Sequence, residues 1–323
     1  MTPAAFALFV DAWVLAVGAC VGSFLNVVIA RVPKGRSIVS PPSSCPKCGQ
    51  RIAWYDNIPV VSWLALRAKC RNCGLPISAR YPMVELLAAL LVFAVWRQLG
   101  PQPSTLGFAA FVCALLALTF IDLDTWLLPH QITWPLLLLG LVSPLWNPEL
   151  RWLEAGLGAL AGFGLFAAIA LFGEKILHKE TMGWGDVWLL AAIGAWLGWT
   201  ALLPVVLLSA LQGSVVGIAL LLLGRGPAEK ERAAREAREK AAATLAAAPS
   251  PGLAPATATE TAAPPAAAAG TAAPAAADDD DDWVPPPHAL PYGPFLALAA
   301  LENLLAHDAI VKLFYAVFGS IAA

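Results

Sequence analysis

The chain has 323 residues, 59% of them hydrophobic and 13% charged, with a formal net charge of −2. A soluble domain carries about 25% charged residues, so apolar runs this dense belong in lipid rather than in one oversized core. The net charge itself says little, because in a membrane protein the placement of charge matters more than its sum; the expected surroundings are a lipid bilayer, with no nucleic acid.

The first apolar stretch covers about 5–30 and is followed, not preceded, by basic residues (Arg31, Lys34, Arg36). That flank favours a retained first helix, 1–31, over a cleaved signal peptide. Further apolar stretches run at about 83–97, 105–121, 132–146, 153–173, 187–200, 201–223 and 291–305, with Trp199 and Thr200 the only break between 187 and 223. The fold class that follows is an all-α polytopic membrane protein of about eight transmembrane helices with a small cytoplasmic loop domain. The segments are 1–31, a cysteine loop at 32–81, a transmembrane core at 82–225, a linker at 226–290 and a last helix with its tail at 291–323. Residues 306–323 extend that helix or lie along the interface. Positive charge gathers in 31–80, 174–181 and 225–240, which eight spans would place on one side, the cytoplasm. The short loops near 98–104 and 147–152 would face out.

Between the first two spans lie Cys45-Pro-Lys-Cys48 and Cys70-Arg-Asn-Cys73. Two CxxC knuckles at this separation suit a tetrahedral thiolate site for zinc, with Gly49 and Gly74 supplying the turn after each knuckle. Four thiolates leave no open position, so the metal's role would be structural, stabilising a loop with too little core to fold alone. An iron–sulfur centre, disulfides and free thiols are the alternatives, and a reducing cytoplasm weakens the disulfides. Cys20 and Cys113 stand alone in apolar runs and read as small buried hydrophobes.

Asp122 and Asp124 close the third span in Phe-Ile-Asp-Leu-Asp-Thr-Trp, and Asp186 ends Gly-Trp-Gly-Asp at the start of the sixth. Ionisable residues at span ends are functional candidates. In the expected topology Asp122 and Asp186 reach the same cytoplasmic level. Two carboxylates that close on each other cannot both ionise readily, so one acts as base toward water while the other, protonated, polarises a scissile carbonyl. Asp124 lies about 200° round the helix from Asp122, so both cannot face Asp186. Helix capping is the rival role, above all for Asp186. Residues 226–290, with Ala, Pro and Thr repeats and the run Asp278–Asp282, cannot bury a core and read as a disordered cytoplasmic linker.

These motifs together resemble the type IV prepilin peptidase (leader peptidase and N-methyltransferase) family. The resemblance rests on Gly22-Ser-Phe-Leu-Asn-Val-Val-Ile-Ala-Arg-Val-Pro33, both knuckles, Trp54-Tyr-Asp-Asn-Ile-Pro-Val-Val-Ser-Trp63 and Arg80-Tyr-Pro-Met-Val-Glu85. It continues through Ile121-Asp-Leu-Asp124 with Leu128-Pro129, Gly183-Trp-Gly-Asp186 and Pro291-Tyr-Gly-Pro-Phe295. It implies a catalytic pair of Asp122 and Asp186, cleavage of basic leaders from type IV prepilins or pseudopilins just after a glycine, and methylation of the new N-terminus from S-adenosylmethionine. It also implies the bacterial inner membrane, with the active site facing the cytoplasm, and positioning roles for Glu85 and Glu180. The chain departs from the family at His130, commonly Asp, and at Trp188, commonly Lys. A transporter would tend to show repeats and mid-membrane carboxylates, a zinc scaffold would not need paired Asp segments, and a presenilin-type protease shares GxGD but not the cysteine loop.

Overall fold

The structure, a computed structural model, describes residues 2–45, 48–177, 182–222 and 290–306. The linker and the C-terminal tail therefore lie outside the described residues, as does Glu180. Eight long helices follow in chain order: α1 (Pro3–Arg31), α3 (Arg80–Leu99), α4 (Pro103–Thr125), α5 (His130–Val142), α6 (Trp152–Phe172), α7 (Trp184–Leu197), α8 (Leu202–Leu222) and α9 (Gly293–Leu305). A short helix, α2 (Val61–Ala65), sits in the loop after α1. No strand forms among the described residues, only two isolated antiparallel bridges. The chain divides into a unit of Met1–Ser214 with Pro291–Ala323, and a second of Val215–Leu290 in which the described part is the end of α8 and Leu290.

Each expected apolar stretch is a helix, but by length and composition five can cross a membrane: Pro3–Lys34, Arg80–Leu99, Pro103–Thr125, Trp152–Ile176 and Trp199–Leu222. α5, α7 and α9 have 13, 14 and 13 residues, short of the ~20 that span a bilayer. Local chemistry sets those ends. α5 starts after Pro129 and gives way to a 3₁₀ turn containing Pro144, while α7 stops at Gly198, whose φ of +81° no helix continues. That glycine and the 3₁₀ turn Trp199–Ala201 are the break between α7 and α8 that Trp199 and Thr200 marked.

Helix contacts are made by glycine. Gly18 and Gly22, one GxxxG pair on α1, face Ala89 and Glu85 of α3 so closely that added Cβ atoms would lie 2.8 and 2.6 Å from those Cα atoms. Gly158 and Gly162, a second pair on α6, meet the backbone of Gly194 and Leu190 on α7; Gly158 and Gly194 are in backbone contact. Lipid chains give helices no hydrophobic reason to associate, so such close backbone approach is what holds them together.

α4 belongs to both cores. One face joins Leu25, Ile29, Val84 and Ala88 of α1 and α3; the other joins Phe166, Leu190, Ile193, Trp196 and Leu296 of α6, α7 and α9. Trp196 stacks on Phe111 at 5.1 Å and donates its indole N–H to the Leu136 carbonyl at 2.8 Å, satisfying its one polar atom in an apolar setting. Of α4's apolar window 61% is buried, against 6% for α1, so α4 is the central helix and α1 turns most of its surface to lipid. Cys113 on α4 is buried as expected. Cys20 is not: it lies on the outer, lipid-facing side of α1, beside Trp13 and Phe24. There an apolar environment is available without burial in protein.

Candidate active site

The site forms where the end of α4 meets the starts of α7 and α9. α4 terminates at Trp126, whose left-handed φ of +58° turns its N–H back to the Asp122 carbonyl at 2.9 Å. This places Asp122 in the last turn, 4% exposed. Asp124 points elsewhere. Its two oxygens receive Arg80 Nη1 and Nη2 at 2.7 and 2.6 Å, and Nη2 also donates to the Phe120 carbonyl at 3.2 Å. The two aspartates of the Ile-Asp-Leu-Asp segment thus have different partners, as their angular separation requires.

Asp186 is the third residue of α7, after the N-cap Gly183, and makes no capping hydrogen bond; its own N–H donates to the Gly183 carbonyl at 3.1 Å. The rival role of helix cap therefore falls to a glycine, leaving the Asp186 carboxyl free to face Asp122, close enough for the charge of one to act on the other. Asp186 Oδ1 and Asp122 Oδ2 are both buried without a hydrogen-bond partner among the described residues. Unsatisfied buried acceptors are costly and rare away from working sites.

Further residues shape this point. A Cβ on Gly185 would stand 2.7 Å from Leu128 Cβ, and one on Gly293 would stand 2.6 Å from Asp122 Oδ2. The Gly293 N–H faces the Asp122 carboxyl without satisfying Oδ2. Its neighbour Tyr292 lies within electrostatic reach of Asp186, and its hydroxyl shares a 2.6 Å hydrogen bond with that of the buried Ser209 on α8. Sequence reasoning quoted Pro291–Phe295 as a motif without a role and passed over Ser209. The two departures from the family meet through one ring: His130 packs on Trp134 at 5.3 Å, Trp134 on Trp188 at 5.8 Å, and Trp188 on Phe163 at 4.9 Å. An aromatic chain thus joins α5, α7 and α6 through the two positions at which the sequence departs from the family motif.

The four loop cysteines also converge. Cys45, Cys48, Cys70 and Cys73 place their sulfurs within 4.8 Å of one another, with Cys45 and Cys73 at 3.7 Å. Thiolates about 2.3 Å from a tetrahedral zinc would stand about 3.8 Å apart, so the cluster fits one such ion. Cys45 and Cys73 stand well beyond the ~2.05 Å of a disulfide, so this pair is not bridged. The knuckles repeat each other. Gly49 and Gly74, at φ +68° and +70°, donate to the Cys45 and Cys70 carbonyls at 2.9 Å, and each opening cysteine N–H is taken five residues on, by Gln50 and Leu75. The Asn72 side chain and the Gln50 N–H lower the Cys48 thiol, while the N–H groups of Cys73 and Asn72 lower Cys70. For Cys73 a favourable Leu75 N–H is outweighed by desolvation and then by the other three sulfurs, which push the thiol up to about 11. Four sulfurs this close repel one another as thiolates, and a divalent cation would offset that repulsion. Asp56, held below the usual carboxylate range by its bidentate hydrogen bonds to Arg71, ties the second knuckle to the segment before α2. Glu85, buried in α3, accepts the Val60 N–H at 2.7 Å.

Fold and site together define a helical membrane protein with a buried aspartate pair and a four-cysteine loop. Two family descriptions match the chain: Bacterial Peptidase A24 N-terminal domain over residues 16–99, and Type IV leader peptidase family over residues 109–218. The chain belongs to the type IV leader peptidase family. It is 44% identical over 311 residues to a "Prepilin leader peptidase/N-methyltransferase" of Myxococcus xanthus (strain DK1622), covering 94% of this chain and 92% of that one. A protein of the same name from Aeromonas hydrophila is 45% identical over 227 residues, covering 63% of this chain and 78% of that one. Another from Burkholderia pseudomallei (strain 1026b) is 38% identical over 240 residues, 66% and 77% of the two chains. No solved structure gives a significant match.

Proposed function

We propose that the chain is a membrane aspartic endopeptidase that removes the basic leader of type IV prepilins and pseudopilins after a glycine, then methylates the new N-terminal amine. The observation that carries the peptidase reading is the convergence of Asp122 and Asp186, each with a buried, unpartnered oxygen, from two helices far apart in sequence. The reading assigns the ionised member as base: it takes a proton from water as the oxygen attacks the scissile carbonyl carbon. The protonated member donates to the carbonyl oxygen. Collapse of the tetrahedral intermediate breaks the C–N bond, and the proton gained from water passes to the leaving amine. Neither a metal nor a covalent intermediate is required. Tyr292 and Gly293 position the pair, Gly293 by leaving room for the Asp122 carboxyl.

Cys45, Cys48, Cys70 and Cys73 hold structural zinc in this reading, supplying the stability that a loop with little core lacks. S-adenosylmethionine would supply an electrophilic methyl group for the amine; no residue of this chain is assigned to it. The placement is the bacterial inner membrane with the site at the cytoplasmic face, since the positive charge of 31–80 flanks the end of α1 and the start of α3. α5, α7 and α9 would complete eight spans with their flanking residues. Mass spectrometry of a prepilin co-expressed with the full chain tests the whole proposal. The expected product begins after the leader glycine and carries one added methyl. An intact leader would contradict the peptidase, and a cut but unmethylated product would contradict only the methyl transfer.

A further inference from the structure

The loop after α1 carries an apolar face that the fold leaves uncovered. Trp54 is 81% exposed and Tyr55 49%; Ile58, Val61 and Leu64 are 44%, 60% and 62% exposed. They form one body. Ser62 Oγ donates to the Tyr55 carbonyl at 2.8 Å and accepts the Ile58 N–H at 3.1 Å, while Trp63 donates inward to the Ile77 carbonyl at 3.1 Å. With 100° per residue, Ser62 and Trp63 occupy the inner side of α2 and Val61 and Leu64 the outer side. Val60 holds this body low. Its φ of +61° is strained for a β-branched residue, and its N–H is bound by Glu85. Glu85 lies five residues past Arg80, about 7.5 Å along α3 from the helix start, at the level where Gly22 packs on it. The apolar face is thus pinned beside the first turns of a membrane helix, not lifted away from it.

Charge decides what meets this face. Residues 31–80 contain nine Lys and Arg against one acidic residue, Asp56, and Asp56 is paired with Arg71. Arg51, Arg67 and Lys69, which flank the apolar segment, are exposed. A basic leader or a second copy of the same cationic loop would be repelled. Anionic headgroups would be attracted, and Trp and Tyr favour the interfacial depth. We propose that residues 54–67 dock onto the adjacent leaflet as an amphipathic anchor for anionic phospholipid, with Val61 and Leu64 entering the acyl boundary and Arg67 and Lys69 meeting phosphates.

Hydrogen exchange of the full chain in single-copy nanodiscs tests this independently of any peptidase activity. Amides 54–67 should exchange about tenfold more slowly in discs containing phosphatidylglycerol than in phosphatidylcholine alone. Val61→Glu with Leu64→Glu should remove that difference while α3 to α7 stay protected. Arg67→Gln with Lys69→Gln leaves the apolar face intact and should bring exchange in phosphatidylglycerol to the phosphatidylcholine level. Equal exchange in both lipids would overturn the proposal, as would slowing that requires added prepilin or two chains per disc.

Discussion

Asp122 and Asp124 stand two residues apart, yet one carboxyl is buried beside Asp186 and the other lies on Arg80. That division was legible in the sequence, because 200° of helix separates them whatever the surroundings. The tightness around Asp122 was not legible: Gly293 reaches it only because α9 returns from the far end of the chain. Gly293→Ala places a Cβ 2.6 Å from Asp122 Oδ2, closer than the carboxyl can tolerate without moving. Displacement of a catalytic group by about 1 Å can cost about a hundredfold in rate. A loss of that order in prepilin cleavage is expected, with Gly164→Ala, which meets open space, unaffected when both are timed at the same substrate concentration. In the cysteine loop, Cys45→Ser removes one of four sulfurs from a cluster sized for one ion. Metal analysis of the purified chain should find about one zinc in the parent and a clear deficit in the variant.

At the scale of elements, hydropathy located the eight long helices but not their reach. α5 and α7 fall short of a span because Pro129, Pro144 and Gly198 act locally on the backbone, which a hydropathy window averages away. It also missed how the helices hold. The GxxxG pairs of α1 and α6 are spelled out in the sequence, but only the structure gives them partners, on α3 and α7. Gly158→Ala would press a methyl into the Gly194 backbone, and overpacking of this kind costs about 1–3 kcal/mol. The Tm in detergent should fall, whereas Gly156→Ala, on the same helix with open space around it, should leave the Tm unchanged. At the start of α7 the rival role falls away: Gly183, not Asp186, caps the helix, so Asp186 is not held by a local role.

Across the molecule, α4 joins two cores, one with α1 and α3 and one with α5 to α9, and carries Asp122 at the end where both close. Arg80, at the first turn of α3, holds that end through Asp124 and the Phe120 carbonyl, linking the cysteine loop to the helix that bears Asp122. That Asp122 and Asp186 approach each other was expected from their positions at the ends of two apolar stretches, and the approach itself is seen where the end of α4 meets the start of α7. The aromatic chain His130–Trp134–Trp188 could not be anticipated, because it depends on α5 and α7 packing side by side. The central claim is that Asp122 and Asp186 work as one unit. Cleavage of a purified prepilin by Asp122→Asn, Asp186→Asn and the double variant, each confirmed folded by its Tm, tests it most directly. Asn keeps the shape and removes the titratable proton, so each single variant should lose at least about a hundredfold in rate, with the double hardly worse and Asp124→Asn milder than either. Near-parental cleavage by both single variants would contradict the aspartic mechanism, and loss confined to Asp124→Asn would show that the pair had been assigned to the wrong residue.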